Sequence, residues 1–95
     1  MRLLAGTRMP LFREELGAHL RDLRRERGER LSDVAERAGI STQYLSEIER
    51  GRKDPSSEMI EAVSGALDVS VAEVSTAVGE RLSRPASTRA YALAA

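Results

Sequence analysis

Between Ser41 and Pro55 the chain reads STQYLSEIERGRKDP. On a helix, Thr42, Gln43, Ser46 and Glu47 fall together on one side, because residues three and four apart are surface neighbours. Leu45 and Ile48 hold the other side as a thin apolar seam. The polar set suits hydrogen bonding to base edges. A glutamine amide can read adenine, a threonine methyl can meet the thymine methyl, and a glutamate can accept from the cytosine amino group. Tyr44, with its phenol near the helix start, and Arg50, Arg52 and Lys53 beyond the helix end are donors for phosphate oxygens. Ser41 is a good N-cap. Backbone N–H groups at helix starts near Leu31, Thr42 and Ser57 also suit phosphate.

Other chemistries find little support. Cysteine is absent and His19 is the sole histidine, so no Cys-based zinc site is available, His19 is not expected to serve a metal or catalysis, and no cofactor is expected. The chain carries 15 basic and 15 acidic residues, and this zero net charge argues against nucleic acid unless positive charge is concentrated locally. The cluster at Arg50, Arg52 and Lys53 meets that condition. The stretch RDLRRERGER is mixed in sign and reads as a solvated helix face. No apolar run approaches a membrane span or a signal peptide, so a cytoplasmic location is expected.

The elements that must position these residues are all helical, because the aliphatics recur at helical spacing. Residues 1–9 read as a flexible lead-in. Pro10 suits the first turn of a helix, and Phe12, Leu16, Leu20 and Leu23 form its stripe up to Gly28. A short second helix spans Leu31 to Ala38 and stops at Gly39. The third follows Ser41 and ends at Gly51. Ser56 or Ser57 caps a fourth, whose seam is Met59, Ile60, Val63, Ala66 and Leu67, with Gly65 expected to serve a close approach. A fifth follows Ser70 and bears Val71, Val74 and Val78. Residues 10–78 thus form one domain, and residues 79–95 read as a flexible tail.

Only Gly39, Ile40 and Ser41 join the second and third helices, with small Ala35 and Ala38 allowing close approach. That is a helix-turn-helix arrangement, whose second helix can enter the DNA major groove. The stretch LSDVAERAGISTQYLSEIERGRKDPSSEMI resembles the lambda-repressor-like XRE family of helix-turn-helix regulators. The joint pattern of Ala35, Gly39, Ile40, Ser41, Leu45, Ile48, Glu49, Gly51 and Pro55 carries the resemblance, which covers about Leu11 to Val78. Within the family, YLSEIERGRKDPSSEM is most similar to the actinobacterial activators of Clp protease genes.

The resemblance implies a five-helix domain and a dimer on a two-fold site in double-stranded DNA. It implies base contacts from Thr42, Gln43 and Glu47, phosphate contacts from Ser41 and Arg50, and a structural ion pair between Arg24 and Glu49. Where the family often caps the second helix with serine or threonine and follows it with glutamine, this chain has Arg30 and Leu31. Arg30 is then the candidate phosphate contact. An activator would also touch RNA polymerase. A second copy is expected to cover the Val71, Val74 and Val78 face.

The last five residues, YALAA, resemble the end of the degradation tag added to stalled bacterial translation products. Leu93, Ala94 and Ala95 would then address the chain to a Clp unfoldase and its protease. The alternative function is an antitoxin-type module that uses the same fold to hold a protein partner while binding DNA at its own promoter.

Overall fold

The computed structural model describes residues 11–84. They form α1 (Phe12–Glu26), α2 (Leu31–Ala38), α3 (Thr42–Glu49), α4 (Ser57–Ala66) and α5 (Val71–Ser83). Each start has a local cause. The Glu14 carboxylate accepts the Leu11 N–H at 3.0 Å, and the Asp33 carboxylate accepts the Arg30 N–H at 2.9 Å. Ser41 Oγ accepts from the Tyr44 N–H, Ser56 Oγ from the Met59 N–H, and Ser70 Oγ from the Glu73 N–H. Each cap satisfies a backbone group that the helix geometry orphans. At Arg30, Asp33 supplies the carboxylate half of a capping box without a hydroxyl at the cap itself.

α1 packs on α5 and α3, α2 packs on α4 and α3, and α4 touches α5. Their shared core is Leu16, Leu20, Val34, Ala35, Leu45, Ile48, Val63, Ala66, Leu67, Val74 and Val78, with Leu23, Ile40, Tyr44, Ile60 and Leu82 packed around it. Burying a Leu or Ile side chain contributes about 1.5–3 kcal/mol. Leu45 and Ile48 therefore anchor an eight-residue helix that would be marginal alone.

Four expectations need correction. Val74 and Val78 are 1% and 0% exposed. They fill this chain's own core and offer no face to a second copy, whereas Val71 is 38% exposed. The tail does not begin at residue 79, because α5 continues to Ser83. Leu82 packs on the core, and Arg81 pairs with Glu15 at 3.2 Å and Asp22 at 3.2 Å on α1. Phe12 is 48% exposed rather than part of the inner stripe. Gly65 makes no close approach, since a Cβ built there would meet nothing within 4 Å.

The close approach occurs at Gly17. A Cβ there would overlap the Ile48 carbonyl oxygen and come within 2.8 Å of the Glu49 carbonyl oxygen. α1 therefore crosses α3 backbone to backbone. Pro10, the lead-in over residues 1–9, and Leu93, Ala94 and Ala95 lie outside the described residues.

Candidate nucleic-acid interface

The turn between α2 and α3 is set by Gly39 at φ +73°, a conformation that costs a side-chain-bearing residue. The Gly39 N–H donates to the Glu36 carbonyl at 3.1 Å, and the Ile40 N–H donates to the Ala35 carbonyl at 3.0 Å. These two bonds close α2. Ile40 then turns into the core, and Ser41 starts α3 two residues after Gly39. This junction leaves the leading end of α3 in solvent, with Ser41, Thr42 and Gln43 all exposed.

Other residues of the set have divided roles. Tyr44 is half-buried against the core, which fixes its ring. Ser46 and Glu47 are half-buried on the flank of α3. Ser41 Oγ accepts from the Tyr44 N–H at 3.0 Å, which leaves its hydroxyl proton to donate outward. Arg50 is exposed, and its Nε donates to the Ser46 carbonyl at 3.4 Å. Ser57 is exposed in the first turn of α4. The Arg30 guanidinium is exposed and lies 3.4 Å from Asp33.

The far end of α3 closes in the same way as α2. The Gly51 N–H donates to the Ile48 carbonyl at 3.0 Å and the Arg52 N–H to the Glu47 carbonyl at 2.9 Å, with Gly51 at φ +73°. Arg52 and Lys53 emerge from this turn exposed. α1 holds it from behind. Arg24 Nε and Nη2 donate to the two Glu49 carboxylate oxygens at 2.8 and 2.9 Å, and Arg13 Nε donates to the Gly51 carbonyl at 3.0 Å.

These pairings resolve the zero net charge. Arg24 is held by Glu49, and Arg81 by Glu15 and Asp22. Arg27 and Arg37 both donate to the Glu29 carboxylate at 2.7 Å. The bonds from Arg37 and then Arg27 hold that carboxyl below its ordinary range. Arg37 also caps the end of α4 through the Ala66 carbonyl at 2.8 Å. Among the described residues no carboxylate pairs with Arg52 or Lys53. The internal arginines are spent on the fold, and positive charge is left unpaired just beyond the far end of α3.

Sequence reasoning missed Arg13, Arg37 and Arg81. Their partners lie 38, 29 and 66 residues away, a separation at which no local pattern operates. Among the described residues no group of acidic or histidine side chains could hold a metal ion, and no helix is long and apolar enough to cross a membrane.

A short polar-ended helix set on a tight turn, pinned from behind and flanked by unpaired basic residues, defines a lambda-repressor-like helix-turn-helix DNA-binding domain. A helix-turn-helix domain family model matches residues 15–77, and the chain belongs to this family of XRE-type DNA-binding transcription regulators. It is similar to the transcriptional regulator ClgR of Mycobacterium tuberculosis, with 46% identity over 74 residues, 78% of this chain and 66% of that protein. The chain thus matches just under two thirds of that relative's length. The crystal structure of the clp gene regulator ClgR from Corynebacterium glutamicum superposes with a TM-score of 0.80 at 41% identity, covering 92% of this chain and 93% of that one. The regulator SinR of Bacillus subtilis is 46% identical over 57 residues, 59% of this chain and 51% of SinR. The restriction-modification controller protein C.Esp1396I, with a TM-score of 0.73 at 18% identity over 80% of this chain and 97% of that one, shares the fold.

Proposed function

We propose that this chain is a sequence-specific activator of Clp protease genes that binds a two-fold DNA site as a dimer. The observation that carries the reading is the exposed Thr42–Gln43 end of α3, on a helix whose far end leads into the unpaired charges of Arg52 and Lys53. Its likeness to clp gene regulators supplies the target.

In this reading α3 enters the major groove by its leading end. Thr42 and Gln43 read bases, and Ser46 and Glu47 line the flank toward the next base pair. Ser41, Tyr44, Arg50, Arg52 and Lys53 hold the phosphates, joined by Arg30 and Ser57 at the starts of α2 and α4. The phosphate contacts fix register and supply the salt-dependent part of the affinity.

Dimerisation uses Val71 rather than Val74 or Val78. Val71 and Phe12 border one groove between α1, α4 and α5, and with Leu11 they are the large exposed hydrophobics of the described residues. A second copy covering them would set two α3 helices about 34 Å apart, one turn of DNA. An activator at such a site would also contact RNA polymerase. Control by abundance fits the YALAA end, where Leu93, Ala94 and Ala95 would be taken by a Clp unfoldase. Replacing Ala94 and Ala95 by Asp should lengthen the protein's half-life in cells with active Clp protease, and equal half-lives would contradict that role.

In vitro selection of DNA by the purified protein tests the main reading. It should enrich a two-fold motif bound by two chains. Absence of any enriched sequence, or a half-site bound by one chain, would contradict it.

A further inference from the structure

We infer that Arg13 is a positioning residue for DNA binding: it fixes the basic turn Arg50–Lys53 through the Gly51 carbonyl, without itself reading a base. The inference rests on the proposed reading of α3 as the DNA-contacting helix.

The geometry is specific to this corner of the fold. Arg13 sits in the first turn of α1, and its Nε donates to the Gly51 carbonyl at 3.0 Å. Gly51 precedes Arg52 and Lys53 directly, and its carbonyl belongs to the peptide group that carries the Arg52 N–H. That N–H donates in turn to the Glu47 carbonyl at 2.9 Å. One peptide plane is therefore held from both edges, by α1 through its oxygen and by α3 through its hydrogen. A planar peptide so fixed leaves the exit direction of the chain little freedom.

Three neighbouring features make the hold stiff. Gly51 is at φ +73°, and a Cβ there would stand 3.0 Å from Glu14 Cα, so the turn is already pressed against α1. Gly17 brings the α1 backbone against the Ile48 and Glu49 carbonyls. Arg24 grips the Glu49 carboxylate with two donors. The last two fix the end of α3 itself, whereas Arg13 reaches beyond α3 to the turn that follows. Without Arg13 the helix stays seated by Leu45, Ile48 and Arg24, but the turn loses its outer restraint. Arg52 and Lys53 would then sample more orientations and lose entropy on meeting phosphate, a cost that preorganisation removes.

The test is a double-mutant cycle on the wild-type selected DNA. Arg13→Met keeps the aliphatic bulk and removes the donor. It should weaken binding to all sequences alike, by about ten-fold, the scale of ordering one or two rotamer-rich side chains on binding. The selected motif should stay unchanged. In an Arg52→Ala, Lys53→Ala background, Arg13→Met should cost much less, because the residues it positions are gone. A direct phosphate contact by Arg13 would instead give additive losses and would overturn the inference. Hydrogen exchange on the free protein gives a second readout: the Arg52 amide should exchange faster in Arg13→Met, while the Leu20 and Val63 amides keep wild-type protection. Unchanged Arg52 exchange would overturn the inference, as would wild-type affinity. If the wild-type chain itself selects no DNA sequence, the reading of α3 fails and this inference fails with it; wild-type selection with an unaffected Arg13→Met sinks this inference alone.

Discussion

Arg24 in α1 and Glu49 in the last turn of α3 form a two-pronged ion pair, Nε to Oε2 at 2.8 Å and Nη2 to Oε1 at 2.9 Å, with side chains only 11% and 4% exposed. Arg24 also donates to the Glu29 carbonyl at 2.9 Å, so one guanidinium ties the ends of α1 and α3 together. A buried pair is costly to break singly because the stranded charge stays desolvated. Arg24→Met should therefore lower stability, by at most about 3–5 kcal/mol because Arg21 Nε remains 3.9 Å from the Glu49 carboxylate, while the double variant Arg24→Met, Glu49→Leu should recover much of that loss. Urea denaturation of the three proteins measures both. Equal or additive losses in the double variant would show that the pair is not coupled.

Two helical glycines should respond in opposite directions. At Gly17 an added methyl group meets the backbone carbonyls of Ile48 and Glu49, which cannot rotate away. Gly17→Ala should cost about 1–3 kcal/mol, as overpacking does, and should loosen α3. At Gly79, inside α5, a methyl group meets nothing within 4 Å. Gly79→Ala should stabilise by about 0.5–1 kcal/mol through helix propensity. Thermal melts decide it: Gly17→Ala melting at or above the wild-type temperature would contradict the close crossing of α1 and α3.

Acid should weaken the fold partly through Glu29. Its carboxyl is held below the ordinary value of 4.5 by donors from Arg37 and Arg27. A carboxyl whose folded pKa is depressed stabilises above its unfolded pKa and loses that contribution as pH falls through the folded value. The stability difference between wild type and Glu29→Gln should thus be constant above about pH 5.5 and shrink as pH drops below 4.5. A difference independent of pH, measured by denaturation from pH 7 to pH 3, would mean that the Glu29 ionisation is not coupled to folding.

The parts legible in the sequence are those with local causes. Gly39 and Gly51 mark helix ends because the turns need positive φ, and Ser41 and Ser70 mark starts because their hydroxyls cap. The exposed leading end of α3 at Thr42 and Gln43 followed from Leu45 and Ile48, though Ser46 and Glu47 on the same side are half-buried. Val71, Val74 and Val78 show where this reasoning stops. A stripe reveals that one side of a helix is buried, but not whether the cover is the same chain or another. Here α1 and α4 cover Val74 and Val78. Leu82 stands four residues after Val78 and continues the stripe, a signal masked by the polar run Gly79, Glu80 and Arg81. The cause that extends α5, Arg81 meeting Glu15 and Asp22, exists only after α1 and α5 have come together. Gly17 and Gly65 look alike in sequence, and only the crossing helix distinguishes them.

The most direct measurement of the central claim compares DNA selected by the wild-type protein, Gln43→Ala and Arg52→Ala. Gln43 stands exposed in the first turn of α3, while Arg52 follows the turn behind it. Gln43→Ala should relax the preference at one base pair per half-site, at a cost of about 1–3 kcal/mol on the preferred sequence. Arg52→Ala should leave the motif intact, weaken every sequence alike and flatten the dependence on salt. A Gln43→Ala protein that still selects the full wild-type motif would contradict the account of α3 as the helix that reads DNA.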